Sequence, residues 1–257
     1  MKSVVMSDYD LIAPFYDIEH MQFDEDLDMY RNFAELCGGK ILELACGSGR
    51  LLLPLAREGY LLTGVDTSSA MLRLARHSLE EAGIAERCQL IQQDICTLQL
   101  PEKFRLAMVA LGSFGHVVTR QRQQAALSAI RKHLSMGATF ILDISNEDAR
   151  YMEHLSGQML HQGTWQQADG SYVTHFISPS SSNTHHLLDL THFYDVHYQG
   201  EAVRRTVSQT DLYLFERNEV ELLLDQAGFR IKDLYGNYDF GPYEHESPRM
   251  IFIAEAR

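Results

Sequence analysis

ILELACGSGR, residues 41–50, decides the fold of this chain, because an apolar run ends there in a glycine turn that a helical pattern follows. Gly47 and Gly49 stand where the backbone must turn tightly and let a ligand come close. The dinucleotide fingerprint G-x-G-x-x-G would need a third glycine at position 52, which is Leu52. Glu43 would repel a phosphate at this turn. The turn therefore predicts a ligand that carries positive charge and no phosphate.

Short apolar runs alternate with helical patterns on both sides of this turn. Strands are predicted at 40–44, 60–65, 88–92, 105–111 and 138–144, and helices at 24–36, at 68–82, at 120–134 and from the turn to 57. Continuous apolar strands that are separated by helices are typical of a parallel sheet covered on both faces. Right-handed crossovers then make an α/β, doubly wound sheet with its ligand crevice at the carboxyl ends of the strands.

The pattern changes after Asn146. Residues 160–215 are rich in Thr, Tyr, Phe and Val and are punctuated by turns, which predicts an insertion of three or four antiparallel strands. A helix at 216–227 and strands at 229–235 and 250–254 return to the earlier pattern. We therefore expect one domain over 1–257, with an N-terminal helical cap at about 1–39 and a β insertion after strand five.

Acidic residues follow the next two strands as well. Asp66 ends the second strand, where a carboxylate can accept both hydroxyls of a ribose. Asp94 and Ile95 follow the third strand, where they could contact the amino group and the ring of an adenine. Each acid alone is more often a helix cap or a turn former. Together with Glu43, they favour an adenosine-bearing cationic ligand.

At this point the sequence resembles the class I S-adenosylmethionine-dependent methyltransferases. ELACGSG resembles their first motif, VDTSSAML their second, QQDI their third and MVALGSFGHV their fourth. The resemblance implies a seven-stranded Rossmann-like sheet with an antiparallel last strand, and S-adenosyl-L-methionine as cofactor. The motifs and the resemblance together give these cofactor-binding residues: Tyr16, Glu43, Gly47, Gly49, Asp66, Thr67, Asp94, Ile95 and Leu111.

A narrower resemblance concerns LIAPFYD, SFGHV and the position of the insertion, which are similar to small-molecule N-methyltransferases of the glycine and aminosugar type. It implies that Tyr16, or alternatively Tyr9, lies over the cofactor, and that the insertion roofs the site or pairs subunits. Tyr16 and His116 are the candidate catalytic residues. His116 could act as a general base, or it could cap the following helix.

The histidines and cysteines of the chain could serve two other kinds of site, a metal site and a nucleophilic thiol. Seven histidines lie between His154 and His197, and we interpret them as a polar or interface face of the insertion; no metal site is predicted. Cys46 lies in the glycine turn, where a nucleophilic role is conceivable, but it is interpreted as a small packed residue.

Composition excludes several classes of protein. The chain has 257 residues and a formal net charge of −13, which disfavours binding to nucleic acid. No apolar run is long enough to span a membrane, and the four cysteines show no C-x-x-C spacing, so a reducing cytoplasm is expected.

The predicted function is methyl transfer to a small-molecule acceptor at nitrogen or oxygen. The alternatives are an RNA or protein methyltransferase and a catalytically silent S-adenosylmethionine-binding subunit, and a homodimer could form through the insertion.

Overall fold

The computed structural model describes residues 8–20, 23–147, 152, 154–181, 186–198 and 200–257. The helices are α1 (Asp8–His20), α2 (Leu27–Cys37), α3 (Leu52–Arg57), α4 (Ser69–Glu81), α5 (Arg120–Lys132) and α6 (Arg217–Gln226). The strands are β1 (Ile41–Leu44), β2 (Leu62–Asp66), β3 (Cys88–Gln92), β4 (Phe104–Val109), β5 (Leu134–Ser145), β6 (Leu160–Gln166), β7 (Tyr172–Ser181), β8 (Leu187–His197), β9 (Arg204–Tyr213), β10 (Phe229–Tyr235) and β11 (Arg249–Ala256). No described helix is both long and apolar enough to cross a membrane.

Seven strands form the main sheet in the order β10-β11-β5-β4-β1-β2-β3. Strands β1 to β5 are parallel, while β11 is antiparallel to both β5 and β10. The predicted doubly wound sheet with an antiparallel last strand is therefore confirmed. Strand β5 begins at Leu134, four residues before the prediction, because its pairing with β4 continues across an irregularity after Phe104.

Apolar helix faces cover the main sheet on both sides. One buried cluster joins α5 and α6, through residues such as Leu127 and Leu223, to the sheet residue Phe140. The other joins α2 and α3, through Phe33 and Leu55, to the opposite side of the sheet. Two-sided burial explains why these strands are continuous apolar runs and not alternating ones.

The insertion forms a separate four-stranded antiparallel sheet, in the order β6-β7-β8-β9, which we call the roof sheet. Its strands span residues 160–213, in agreement with the predicted 160–215. Alternate residues of the roof sheet, such as Val173 and His175 on β7 and Tyr194 on β8, are buried. Val173 and Tyr194 form a small apolar cluster with Ile12 of α1. The roof sheet therefore packs on α1.

Helix α1 lies in the predicted N-terminal cap, of which residues 1–7 and 21–22 lie outside the described part of the chain. It continues through Pro14, although proline has no N–H to bond the carbonyl of Asp10. Contacts on both sides hold the helix together: Ile12 packs on the roof sheet, and Asp10 bonds to the beginning of α4. The helix is thus fixed by tertiary contacts more than by its own bonds.

Candidate functional site

The carboxyl ends of β1, β2 and β3 bring the three predicted acids to one edge of the main sheet. Glu43 is aligned with Gly64 in the β1–β2 pair, and Asp66 is aligned with Gln92 in the β2–β3 pair. Asp94 follows two residues after the end of β3. The acids therefore lie along one rim, as the alternation of strands and helices predicts.

The glycine turn after β1 has a backbone that most side chains would not permit. Gly47 and Gly49 have φ angles of 54° and 85°, in the left-handed region. A Cβ atom on Gly49 would lie 3.1 Å from the Cβ atom of Ala75 on α4, so the close packing of the turn on α4 also requires a residue without a side chain. Ala45 is not a glycine but adopts a φ angle of 54°, a strained conformation of the kind that is found at functional sites. The turn exposes its backbone to a ligand at the crevice.

Glu43 is a carboxylate buried in the crevice wall without a counter-charge of its own. It is 4% exposed, and its Oε2 atom has no hydrogen-bond partner in the described structure. Burial raises the pKa of Glu43 from 4.5 to about 8, Arg50 lowers it, and Asp26 and Asp66 raise it further. Arg50 gives little compensation, because it already bonds both oxygens of the buried Asp26 at 2.6 and 2.5 Å.

The unpaired oxygen of Glu43 tests whether the site fits S-adenosylmethionine. A buried acceptor without a partner is rare in native structures and calls for a ligand that satisfies it. The cofactor carries an ammonium group and a sulfonium, and both favour an ionised carboxylate nearby. Ser48 in the glycine turn also has a buried hydroxyl without a partner among the described residues. The donor set of the turn therefore fits a cationic ligand with polar groups.

Asp66 organises the turn as well as facing the crevice. Its Oδ2 atom accepts the backbone N–H of Gly47 at 2.8 Å, and its Oδ1 atom accepts that of Ser68 at 2.8 Å. Burial raises the pKa of Asp66, while these backbone hydrogen bonds oppose the increase. Each carboxylate oxygen has a second lone pair, which leaves acceptors for ribose hydroxyls. Thr67, next in sequence, is exposed at the same edge.

We expect Asp66→Ala to weaken binding of S-adenosylhomocysteine by roughly 1.5–3 kcal/mol, that is about 10- to 100-fold in Kd. The loss has two sources, since the variant removes the acceptor for ribose hydroxyls and releases the N–H of Gly47 that Asp66 holds. Calorimetric titration measures it, with the exposed Asp189→Ala on the roof sheet as the matched control. An unchanged dissociation constant would contradict the role of Asp66.

Asp94 is occupied by protein partners. Its Oδ1 atom accepts the N–H of Cys96 at 2.8 Å and so caps a short 3₁₀ helix at 95–97, while Oδ2 accepts from Arg122 at 2.8 Å. Burial would raise the pKa of Asp94, but these hydrogen bonds hold it below its usual value. Ile95 is packed in the core. The capping alternative is thus observed, and adenine binding by Asp94 and Ile95 stays a prediction.

The loop after β4 is held by a buried acid that the sequence motifs do not single out. Asp143 of β5 is fully buried and accepts the N–H of Leu111 at 2.9 Å, at a position where Leu111 has a left-handed φ of 50°. Asp143 also accepts from Tyr238 at 2.9 Å and from Arg249. Arg249 is 106 residues away in sequence. This cluster fixes Leu111, one of the predicted cofactor-binding residues, at the crevice edge.

His116 lies at the end of a short 3₁₀ helix after β4, with a defined tautomer. Its Nδ1 atom is 2.9 Å from the carbonyl oxygen of Asp211, which can only accept, so Nδ1 carries the proton. Its Nε2 atom therefore accepts the hydroxyl proton of Tyr9, at 2.8 Å. Burial lowers the pKa of His116, which keeps the ring neutral. The capping alternative is wrong, because Thr119 caps α5.

Tyr16 covers the glycine turn from above. A Cβ atom on Gly47 would lie 3.8 Å from Cε1 of Tyr16, and the ring stacks on His20 at a centroid distance of 4.2 Å. Burial raises the pKa of Tyr16 to about 12, so its hydroxyl stays protonated. Tyr9 and Tyr16, two turns apart on one face of α1, thus take different positions: Tyr9 at His116 and Tyr16 at Gly47.

The geometry of the described residues bears on two further chemistries, metal binding and nucleophilic catalysis by a thiolate. Within the described residues, no group of three or more His, Cys, Asp or Glu side chains is placed to hold a metal ion. Cys46 is buried, and burial raises the pKa of its thiol, so it is not a thiolate nucleophile. It is a packed residue, as interpreted from the sequence.

Comparisons with known proteins find methyltransferases, both in sequence and in structure. Residues 41–137 match a family described as "Methyltransferase domain". The chain is similar to an S-adenosylmethionine-dependent methyltransferase from Clostridium acetobutylicum ATCC 824 (22% identity, 97% and 99% of the two chains, TM-score 0.78). It is also similar to the sugar N-methyltransferase KedS8 from Streptoalloteichus sp. ATCC 53650 (21%, 98% and 94%, TM-score 0.76). A ubiquinone biosynthesis O-methyltransferase from Alkalilimnicola ehrlichii is 30% identical over 177 residues, 65% of each protein.

Proposed function

Because the chain is a class I S-adenosylmethionine-dependent methyltransferase, we propose that it methylates a small-molecule acceptor at nitrogen. The observation that carries this proposal is the pairing of Tyr9 with neutral His116 at the crevice edge. An amine that arrives as an ammonium has no lone pair for the transfer and must first lose a proton. A neutral imidazole with a fixed tautomer is suited to take that proton.

Some residues of the site bind the cofactor, and others transfer the proton of the acceptor. When bound, S-adenosylmethionine supplies a methyl group that its sulfonium already activates. Glu43 and Asp66 hold the cationic and ribose parts, and Tyr16 excludes water above the glycine turn. The proton of the acceptor passes to the phenol oxygen of Tyr9, while the phenol proton passes to Nε2 of His116. Alignment and removal of water supply most of the remaining rate.

Methylation at oxygen is the second candidate. It is supported by the similarity to the ubiquinone biosynthesis O-methyltransferase, and the same Tyr9 and His116 pair would deprotonate a hydroxyl. A net charge of −13 disfavours RNA as acceptor. Four free cysteines are compatible with the proposed cytoplasmic location. Homodimer formation through the roof sheet stays a prediction, supported by the aligned outer row Phe176, Phe193 and Val207.

Incubation with methyl-labelled S-adenosylmethionine and a panel of amines, aminosugars and phenols tests this function. We expect label on the nitrogen of a small amine, identified by mass spectrometry and fragmentation. Label on oxygen would favour the second candidate, and label on RNA or protein alone would overturn the small-molecule acceptor. Tight binding of S-adenosylhomocysteine without turnover of any acceptor in a cell extract would favour the silent subunit.

A further inference from the structure

Four polar side chains form a continuous hydrogen-bond chain between α1 and the roof sheet. Oε2 of Glu19 lies 3.0 Å from Nδ1 of His175, and Nε2 of His175 lies 3.1 Å from Nδ1 of His192. Nε2 of His192 lies 2.9 Å from Oγ1 of Thr210. The members belong to α1, β7, β8 and β9, so the chain ties the helix to three strands at once. We call these residues the roof chain.

The direction of each bond follows from what each group can donate. The carboxylate of Glu19 only accepts, so His175 donates from Nδ1 and accepts at Nε2 from His192. The remaining nitrogen of His192 accepts the hydroxyl proton of Thr210. Burial, the neighbouring His175 and, more weakly, His116 lower the pKa of His192 to about 4, against an opposing effect of Glu19. With both rings neutral, every ring nitrogen of the two imidazoles has a hydrogen-bond partner.

A column of stacked rings supports the roof chain. Tyr194 stacks on His175 at a centroid distance of 4.2 Å, and Phe15 of α1 stacks on Tyr194 at 4.6 Å. Stacked pairs add stability beyond the area that they bury. His175 is therefore held both by its ring faces and by its two nitrogens, and it is 4% exposed.

The second half of α1 depends on this anchor because Pro14 interrupts the helix hydrogen bonds. The first half has its own anchor: Oδ1 of Asp10 accepts from the Ser68 hydroxyl at 2.7 Å and from the N–H of Ala70 at 3.0 Å. Glu19 lies three residues after Tyr16, on the neighbouring face of the helix. The rotation that Glu19 fixes is the rotation that places Tyr16 over the glycine turn.

We propose that His175 is a positioning residue for cofactor binding: through Glu19 it holds the second half of α1 so that Tyr16 stays over Gly47. The proposal depends on the cofactor and is independent of which acceptor is methylated. His175 itself touches neither the glycine turn nor the three acids of the crevice edge in the contacts described above. Its effect reaches the cofactor only through the helix.

Three single variants test the roof chain by titration with S-adenosylhomocysteine. His175→Phe keeps a ring for stacking but removes both hydrogen bonds, and we expect Kd to rise about tenfold. Glu19→Ala should give a similar rise. Glu19→Gln keeps an oxygen that accepts from His175, so its Kd should stay within about threefold of the original. His161→Phe, on an exposed histidine of β6, is the matched control and should change nothing.

Double variants separate positioning from a general loss of stability. Glu19→Ala combined with His175→Phe should bind no more weakly than either single variant, and Glu19→Ala should add nothing in a Tyr16→Ala background. Additive losses, or Kd values within twofold for both single variants, would overturn the proposal. At saturating cofactor the acid limb of kcat, which reports His116, should not move. If His175→Phe does not fold, Glu19→Ala against Glu19→Gln decides the same question.

Discussion

We expect replacement of Glu43 with glutamine to stabilise the cofactor-free protein and to weaken its binding of S-adenosylmethionine. A carboxyl whose pKa is raised from 4.5 to about 8 in the folded state keeps a proton that the unfolded chain has lost. The native state therefore binds more protons between these values, and stability falls as pH rises through that window. Glutamine removes this dependence, because its side chain is neutral at every pH.

The size of the effect follows from two opposing contributions. The unfolded pKa of 4.5 lies two to three pH units below neutrality, so keeping Glu43 protonated in the folded state costs on the order of 3 kcal/mol of stability, which glutamine restores. An amide N–H without a partner in the variant takes about 1–2 kcal/mol from that gain. We expect a net gain of about 1–2 kcal/mol at pH 7, or roughly 3–6 °C in Tm. Scanning calorimetry measures it, with the exposed Glu35→Gln on α2 as control.

Cofactor binding by the same variant should show the opposite sign. A cation placed beside Glu43 lowers the pKa of the carboxyl, so binding releases a proton at neutral pH. The affinity of the unaltered protein should rise from pH 6 to pH 8, whereas that of Glu43→Gln should be lower and flat. Calorimetry in two buffers with different ionisation enthalpies counts the released proton. A destabilised variant, or no proton release, would show that Glu43 does not face the cation.

We expect replacement of His116 with asparagine to lower kcat about 100-fold, within the usual range for loss of a general base. Asparagine can still donate to the carbonyl of Asp211, so the loop stays in place while the acceptor nitrogen at Nε2 is lost. Tyr9→Phe should give a similar loss. The double variant should be no slower than either single one, because the two residues act as a unit.

The pH profile gives an independent measurement of His116. Because burial lowers its pKa, the acid limb that it imposes should lie below pH 6.5, and the limb should disappear in His116→Asn. Protonated His116 is disfavoured in the folded protein, so its contribution to stability also falls below pH 6.5. Cofactor affinity should stay within threefold. An equal loss of cofactor affinity, or a kcat within threefold, would contradict the role of His116 as a base.

The sheet and the crevice edge could be predicted from sequence because their signals are local. Apolar runs, a glycine turn and acids at strand ends lie within a few residues of one another, and parallel strands bring equivalent ends together. The strand limits differ at β5, where pairing continues through Leu134. The resemblance implies Tyr16, or alternatively Tyr9, over the cofactor, whereas the helix pattern alone does not separate the two, because a spacing of seven puts both on one helix face.

Contacts between distant segments could not be predicted. Asp10 meets Ser68 across 58 residues and Glu19 meets His175 across 156, without any local pattern that links the partners. The interpretation of the insertion histidines as a polar or interface face does not indicate that His175 is buried under α1. Alternation along β7 indicates which residues share a face, but it cannot say that a helix will cover that face.

The two histidine systems respond differently to acid because their terminal partners differ. When one proton is added to the roof chain, the bond to Glu19 keeps its direction and the other two bonds reverse: His175 then donates to both Glu19 and His192, and His192 donates to the hydroxyl of Thr210. When one proton is added to His116, Nδ1 still donates to the carbonyl of Asp211 and Nε2 donates to the hydroxyl of Tyr9, so the positive charge lies beside a neutral carbonyl and not beside a carboxylate. Acidification thus removes the base at His116, while the hydrogen bonds that hold the second half of α1 over the cofactor are kept.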